Sequence, residues 1–168
     1  MTWLNLYRSR PPGVEVGKNV STALDGSGEP QPDTLLPIAP DFGGQTHNAG
    51  NFIGGAPELV IEVAETSRNI DLGNKLSDYQ RAGVLEYVAV ASDPDEVIWH
   101  VRRADRFLRV PPDADGVYRS QVFPGLWLDP QVLLADDVAA LVAAFEKGLA
   151  SAEHAAFVAR LAAARGSV

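Results

Sequence analysis

Residues 54–91 read GGAPELVIEVAETSRNIDLGNKLSDYQRAGVLEYVAVA, and the rest of the chain is arranged around this stretch. The run Leu59-Val60-Ile61-Glu62-Val63-Ala64 is apolar except for one carboxylate, and Pro57 precedes it. That pattern predicts a strand over 58–64 covered on both faces. A connection at 65–69 leads to a predicted helix over 71–82, which Gly83 ends. A second buried strand, 84–91, carries Leu85, Tyr87, Val88 and Val90. Strand, helix and strand with short links predict a parallel pair joined by a right-handed crossover. Within the helix, Leu72, Leu76 and Tyr79 form the apolar stripe. Lys75 lies three residues after Leu72 and four before Tyr79, so it shares that face and leans toward the strand that holds Glu62. A carboxylate and a lysine turned toward one interior are costly unless they have partners, and that cost points to a site.

Upstream, Trp3, Leu4 and Tyr7 suggest a short helix or an irregular arm over residues 1–10, which Pro11-Pro12-Gly13 ends. Residues 14–24 are a weak strand candidate, and Asp25-Gly26-Ser27-Gly28 reads as a turn. Pro32 fixes the chain ahead of Asp33, which opens a short strand over 34–38. Pro37 makes that strand very short or an edge strand. Residues 40–55 hold five glycines with His47, Asn48 and Asn51, and read as a long loop. No phosphate-cradling glycine motif is present in it.

Downstream, the pattern turns antiparallel. Strands are expected over 96–101 and 106–110, with a turn at 102–105. A further turn over 111–116 ends in Asp115-Gly116, a hairpin signal leading to a strand over 117–122. From Asp136 the period becomes helical, with Val138, Leu141, Val142 and Phe145 as one stripe up to Gly148. Ser151 can cap a last helix with a stripe of Ala155, Val158 and Leu161, and Phe157 beside it. These alanine-rich helices serve packing or an interface, and a homodimer through them is one expectation.

The chain has 168 residues and 46% hydrophobic content, which suits one domain over 1–168 with a mixed α/β sheet. There is no cysteine, so disulfides and thiolate metal sites are excluded, and a reducing cytoplasm is the expected compartment. No apolar run is long enough to span a bilayer, and the N-terminus has no secretory h-region. A net charge of −8 argues against a broad nucleic-acid-binding surface but allows a local basic patch.

The candidates for chemistry narrow quickly. No G-x-S-x-G elbow occurs, and His47, His100 and His154 lie far apart without ligand spacing. His47 reads as a solvated loop histidine that can approach a site, while His100 and His154 read as structural. Asp33 and Glu62 are stronger. Two carboxylates on strands of one core sheet suit Mg²⁺, a hard oxygen-seeking ion. Two structural alternatives stay open: Glu62 paired with Lys75 or Arg81 while Asp33 caps a turn, and a surface pair of Lys75 with Asp71. Asp71 also suits a helix N-terminus. A carboxylate pair with a nearby lysine supplies what metal-assisted phosphodiester hydrolysis needs.

Pro32-Asp33, then Ala56-Pro57-Glu58-Leu59-Val60-Ile61-Glu62-Val63, then Asp71-x-x-x-Lys75-x-x-x-Tyr79, then Gly83-Val84-Leu85-Glu86-Tyr87 together resemble the Uma-type putative restriction endonuclease family. That family is placed in the PD-(D/E)XK nuclease superfamily. The resemblance implies a restriction endonuclease-like core of α/β (α+β mixed) type over about 29–128, a central mixed sheet flanked by helices, with C-terminal helices at about 132–165. It implies Asp33 and Glu62 as metal-binding and catalytic carboxylates, Lys75 as the catalytic lysine, Mg²⁺ (or Mn²⁺) as cofactor and DNA as substrate. The superfamily usually places its lysine two residues after the second carboxylate, where this chain has Ala64. The Uma-type pattern has it on the following helix, at Lys75. Tyr79 and Asp71 match the pattern without an assigned role. Family members usually carry an N-terminal helical region, and only 32 residues precede Asp33 here, so a shortened N-terminus is expected. Arg68, Arg81, Arg102, Arg103 and Arg106 are the cations available for DNA. The residues leave three readings open: a Mg²⁺-dependent endonuclease, a catalytically inactive nuclease-fold module that binds nucleic acid or protein, and a metal-assisted hydrolase of a small phosphorylated substrate held at the glycine loop.

Overall fold

The apolar run at 59–64 becomes a strand whose first four residues are buried, and the other elements are placed by it. The structure is a computed structural model, and it describes residues 2–24, 31–50, 52–64, 71–92 and 94–165. The turn expected at 25–28, the connection at 65–69, Arg68 and the side chains of Asp71 and Leu72 lie outside the described residues. In chain order the elements are α1 (Thr2–Arg8), β1 (Gly17–Lys18), β2 (Thr22–Ala23), β3 (Thr34–Leu36), a 3₁₀ turn (Pro40–Phe42), β4 (His47–Ala49), β5 (Phe52–Gly54), β6 (Leu59–Ala64) and α2 (Asp71–Ala82). Then come β7 (Glu86–Ser92), β8 (Asp95–Arg103), β9 (Arg106–Val110), β10 (Tyr118–Arg119), β11 (Trp127–Leu128), α3 (Pro130–Leu134), α4 (Val138–Leu149) and α5 (Ala152–Arg165).

The main sheet has the order β1-β3-β6-β7-β8-β9. β6 and β7 run parallel, with α2 between them in sequence, and every other neighbouring pair is antiparallel. This is the mixed α/β sheet that the sequence predicts. A parallel pair needs a crossover, and the 12-residue α2 supplies it. Gly83 follows at φ 98°, a left-handed conformation that suits glycine and stops the helix.

Alternation along the strands sends residues to two cores. Leu59 and Ile61, with Leu36, Val88, Val97, Trp99 and Val101, face the N-terminal and C-terminal helices. Val60, with Leu35, Tyr87 and Ala89, faces α2 through Tyr79. Trp3, Leu4 and Tyr7 are all buried, so the first residues do form an amphipathic helix. The Tyr7 ring meets Phe123, Phe145 and His154 edge-on, and its hydroxyl donates to the Pro124 carbonyl at 2.9 Å.

Several expectations are corrected. The stretch 40–55 is not a structureless loop: β4 and β5 form a hairpin, and β2 joins it in a three-stranded sheet. Strands of two and three residues are too short to show a period. The turn signals are Gly50, at φ 74°, and Asn48, whose Oδ1 accepts from Gly50 N at 2.9 Å. β3 is very short but is not an edge strand, because β1 pairs with its outer side. Asp115-Gly116 does not join β9 to a partner strand. Asp113 Oδ1 accepts from Asp115 N and Val117 N, and β10 pairs with β11. In α4 the buried residues are Leu141, Phe145 and Gly148, while Val138, next to the N-cap Asp137, is 54% exposed. In α5 the core side is His154, Phe157 and Leu161, and Ala155 is exposed. Larger side chains set the helix rotation, since one alanine methyl has little area to bury. No helix among the described residues is long and apolar enough to cross a membrane.

Two buried carboxylates stand at the N-terminal ends of the parallel strands. Glu58 accepts from Ile38 N at 2.7 Å and Gln45 N at 2.9 Å. Glu86 accepts from Ser120 Oγ and Gln121 N, both at 2.7 Å, and Ser120 Oγ accepts in turn from Phe123 N. Each ties a distant turn to the sheet. Burial raises both carboxyls above the usual glutamate range, and the hydrogen bonds offset part of that shift. The folded chain therefore holds protons at pH values where the unfolded chain has released them. These two groups make stability fall as pH rises out of the ordinary carboxylate range through their raised values. Glu86→Ala leaves the Ser120 hydroxyl and the Gln121 amide without an acceptor. It is expected to cost about 2–4 kcal/mol, read from urea unfolding. An unchanged midpoint would show that other contacts hold the turn at 118–123.

Candidate active site

The ladder between β3 and β6 sets the first two residues of the site. Thr34 pairs with Ile61, so Asp33 comes alongside the next residue, Glu62. The Asp33 carboxylate bends back onto β6, where its Oδ2 accepts from Val63 N at 2.8 Å. Glu62 is 2% exposed, and its parity with Val60 turns it toward α2. From that helix Lys75 and Tyr79, four residues apart and so on one face, reach the same carboxylate. Lys75 Nζ lies 2.9 Å from Oε2, and Tyr79 OH donates to Oε1 at 2.7 Å.

Asp33, Glu62 and Lys75 are thus brought to one end of the sheet, beside the C-terminal end of β6. The Lys75–Glu62 pair belongs to the structural alternative as well, and the site reading differs from it by including Asp33. Arg81 does not pair with Glu62; it lies 3.4 Å from Asp78. Ala64, two residues after Glu62, closes β6, and the ammonium beside Glu62 is that of Lys75 on α2.

The partners of Glu62 differ in freedom. Lys75 keeps 44% of its side chain exposed. Tyr79 is 1% exposed, with its ring 5.5 Å from that of Tyr87 between centroids. Burial is the main cause that raises the Glu62 carboxyl above its usual range. The Lys75 and Tyr79 bonds pull it down, and the Asp33 charge pushes it up. Burial, then the Glu62 charge, raises the Tyr79 hydroxyl far above its ordinary value, so it remains a donor.

This donor set fits a hard divalent cation. Asp33 disfavours the charged form of Glu62, and a cation between the two would relieve that repulsion. Among the described residues no three His, Asp or Glu side chains gather. Two carboxylates suffice for Mg²⁺, which is commonly held by one or two carboxylates, water and substrate phosphate.

The other candidates stand apart. His47 is exposed on β4. His100, on β8, lies against Tyr87 and Phe107. His154 Nδ1 lies 2.9 Å from the Pro124 carbonyl oxygen. Arg102, Arg103 and Arg106 gather at the turn between β8 and β9, with Arg103 opposite Arg106. Because Val101 pairs with Glu86, that turn is at the opposite end of the sheet from Glu62. The cation nearest in the ladder to Asp33 is Lys18, exposed on β1 opposite Thr34 and so, by alternation, on the sheet face away from Glu62. Its two-residue strand gave no periodicity to mark it.

A family model described as "Uma2: Putative restriction endonuclease" matches residues 1–131. The chain is also similar to the crystal structure of a putative nuclease belonging to DUF820 from Anabaena variabilis, with a TM-score of 0.63 and 14% identity. The match covers 80% of this chain and 75% of that one, and at such identity it is a likeness of fold. No curated protein matches the chain.

Tyr79→Phe removes a hydroxyl donor from a buried carboxylate and is expected to cost about 1.5–3 kcal/mol at neutral pH. Losing that bond raises the Glu62 carboxyl further. The deficit should therefore shrink at acid pH, where Glu62 is protonated in both folded proteins. Denaturant unfolding at the two pH values checks this, and an equal deficit at both would contradict it.

Proposed function

This chain belongs to the Uma2 family of putative restriction endonucleases, and from that premise we propose that it cleaves DNA phosphodiester bonds using a divalent cation, Mg²⁺ or Mn²⁺. The family makes it a hydrolytic nuclease; the substrate and the cation are our reading. The observation that carries this reading is the convergence of Asp33, Glu62 and Lys75 at the C-terminal end of β6. Asp33 and Glu62 would hold the cation. When bound, it would polarise the phosphate and make water a better nucleophile near neutral pH.

The remaining work falls to side chains of this chain. Water attacks phosphorus and releases a proton to solvent, the bond to the leaving oxygen breaks, that oxygen takes up a proton from solvent, and negative charge grows on the phosphoryl oxygens in between. Lys75, half-exposed beside Glu62, can place its ammonium against that charge or orient the water. Tyr79 fixes one Glu62 oxygen, so the carboxylate does not rotate.

One observation favours the second reading, a non-catalytic nuclease-fold module: both Glu62 oxygens already have partners. Nicking of supercoiled plasmid with Mg²⁺ or Mn²⁺ separates the two. The wild type should nick, while Asp33→Asn, Glu62→Gln and Lys75→Ala should each slow it by about 10²–10³-fold. A folded wild type inactive on plasmid, linear and single-stranded DNA with either metal would reject the endonuclease reading.

A further inference from the structure

The two oxygens of Glu62 are held by partners of different kinds, and the difference decides which one can give way. Tyr79 is neutral and almost fully buried, and its ring packs against Tyr87. It cannot leave Oε1 without opening the core between α2 and the sheet. Lys75 is charged and 44% exposed, so it can withdraw from Oε2 into water with little disturbance. A divalent cation arriving at Oε2 would meet an ammonium on the same oxygen, and like charges at that range repel strongly. The neutral Tyr79 hydroxyl raises no such conflict.

We propose that Lys75 and the divalent cation exchange on Glu62 Oε2. Cation entry displaces the Lys75 ammonium toward the open side of the site, while Tyr79 keeps Oε1 and with it the direction of the carboxylate. Tyr79 is then a positioning residue. Lys75 is delivered to the substrate phosphate only once the cation is in place, which couples metal loading to assembly of the site. This inference rests on the metal reading above.

Calorimetric titration of Mn²⁺ without DNA, at mildly alkaline pH, tests it with the wild type, Lys75→Ala, Lys75→Met, Asp33→Asn and Glu62→Gln. The Lys75 variants should bind about fivefold more tightly than wild type with the same stoichiometry, the scale of a half-exposed ion pair that no longer has to be broken. The carboxylate variants should lose binding. Thermal unfolding of each variant identifies any that fails to fold, and Lys75→Met, which keeps the stem, decides if Lys75→Ala does. Lys75 variants that bind no more tightly than wild type, beside carboxylate variants that lose binding, would overturn the exchange and leave the metal reading standing. A wild type that binds no Mn²⁺, or carboxylate variants that bind as it does, would overturn both.

Discussion

A carboxylate buried to 2% exposure against a neighbouring aspartate is the constraint around which this protein is built. Three buried glutamates, Glu62 and Glu86 on adjacent strands and Glu58 just before β6, show what is special about it. Glu58 accepts two backbone amides, and Glu86 accepts one amide and one buried hydroxyl. Donors fixed in the backbone or deep in the core hold turns in place and have no reason to move. Glu62 instead relies on two side chains of one helix, one of them half-exposed, and carries the extra cost of Asp33 nearby. A purely structural role would be better served by removing a charge than by adding a second one beside it.

The fold creates this situation by simple means. A parallel pair requires a crossover, and the crossover helix lies on the face toward which Glu62 points. The antiparallel pairing of β3 with β6 then carries Asp33 to the same end of the sheet. Three residues far apart in sequence meet because one strand, β6, has neighbours of both directions. The opposite end of β6 and β7 is closed by Glu58 and Glu86, so these staples and the Asp33–Glu62–Lys75 cluster occupy different ends of the same strands.

Much of this was legible in the sequence, for reasons that differ by residue. The strand at 59–64 and the helix at 71–82 stand out because both have clear periods and clear stops at Pro57 and Gly83. Lys75 could be placed by helical spacing alone. Tyr79 sits on the same stripe, but nothing in the spacing separates a core tyrosine from one whose hydroxyl meets Glu62. The hairpin of β4 and β5 stayed hidden because three residues cannot establish alternation. The staples made by Glu58 and Glu86 depend on amides and a hydroxyl 13 to 35 residues away, which no local pattern reports. The rotation of α5 is not legible from its alanines, which fill the helix without fixing a face, whereas His154 and Phe157 fix it by size.

Asp33 and Glu62 are proposed to form a cation site from which Lys75 can be displaced. Anomalous scattering from crystals soaked in Mn²⁺ addresses it directly, because it locates the ion and the lysine together. A peak between the two carboxylates is expected, with Lys75 Nζ moved off Glu62 Oε2 and Tyr79 still bonded to Oε1. Saturating Mn²⁺ with no peak there, and Lys75 unmoved on Glu62, would contradict it.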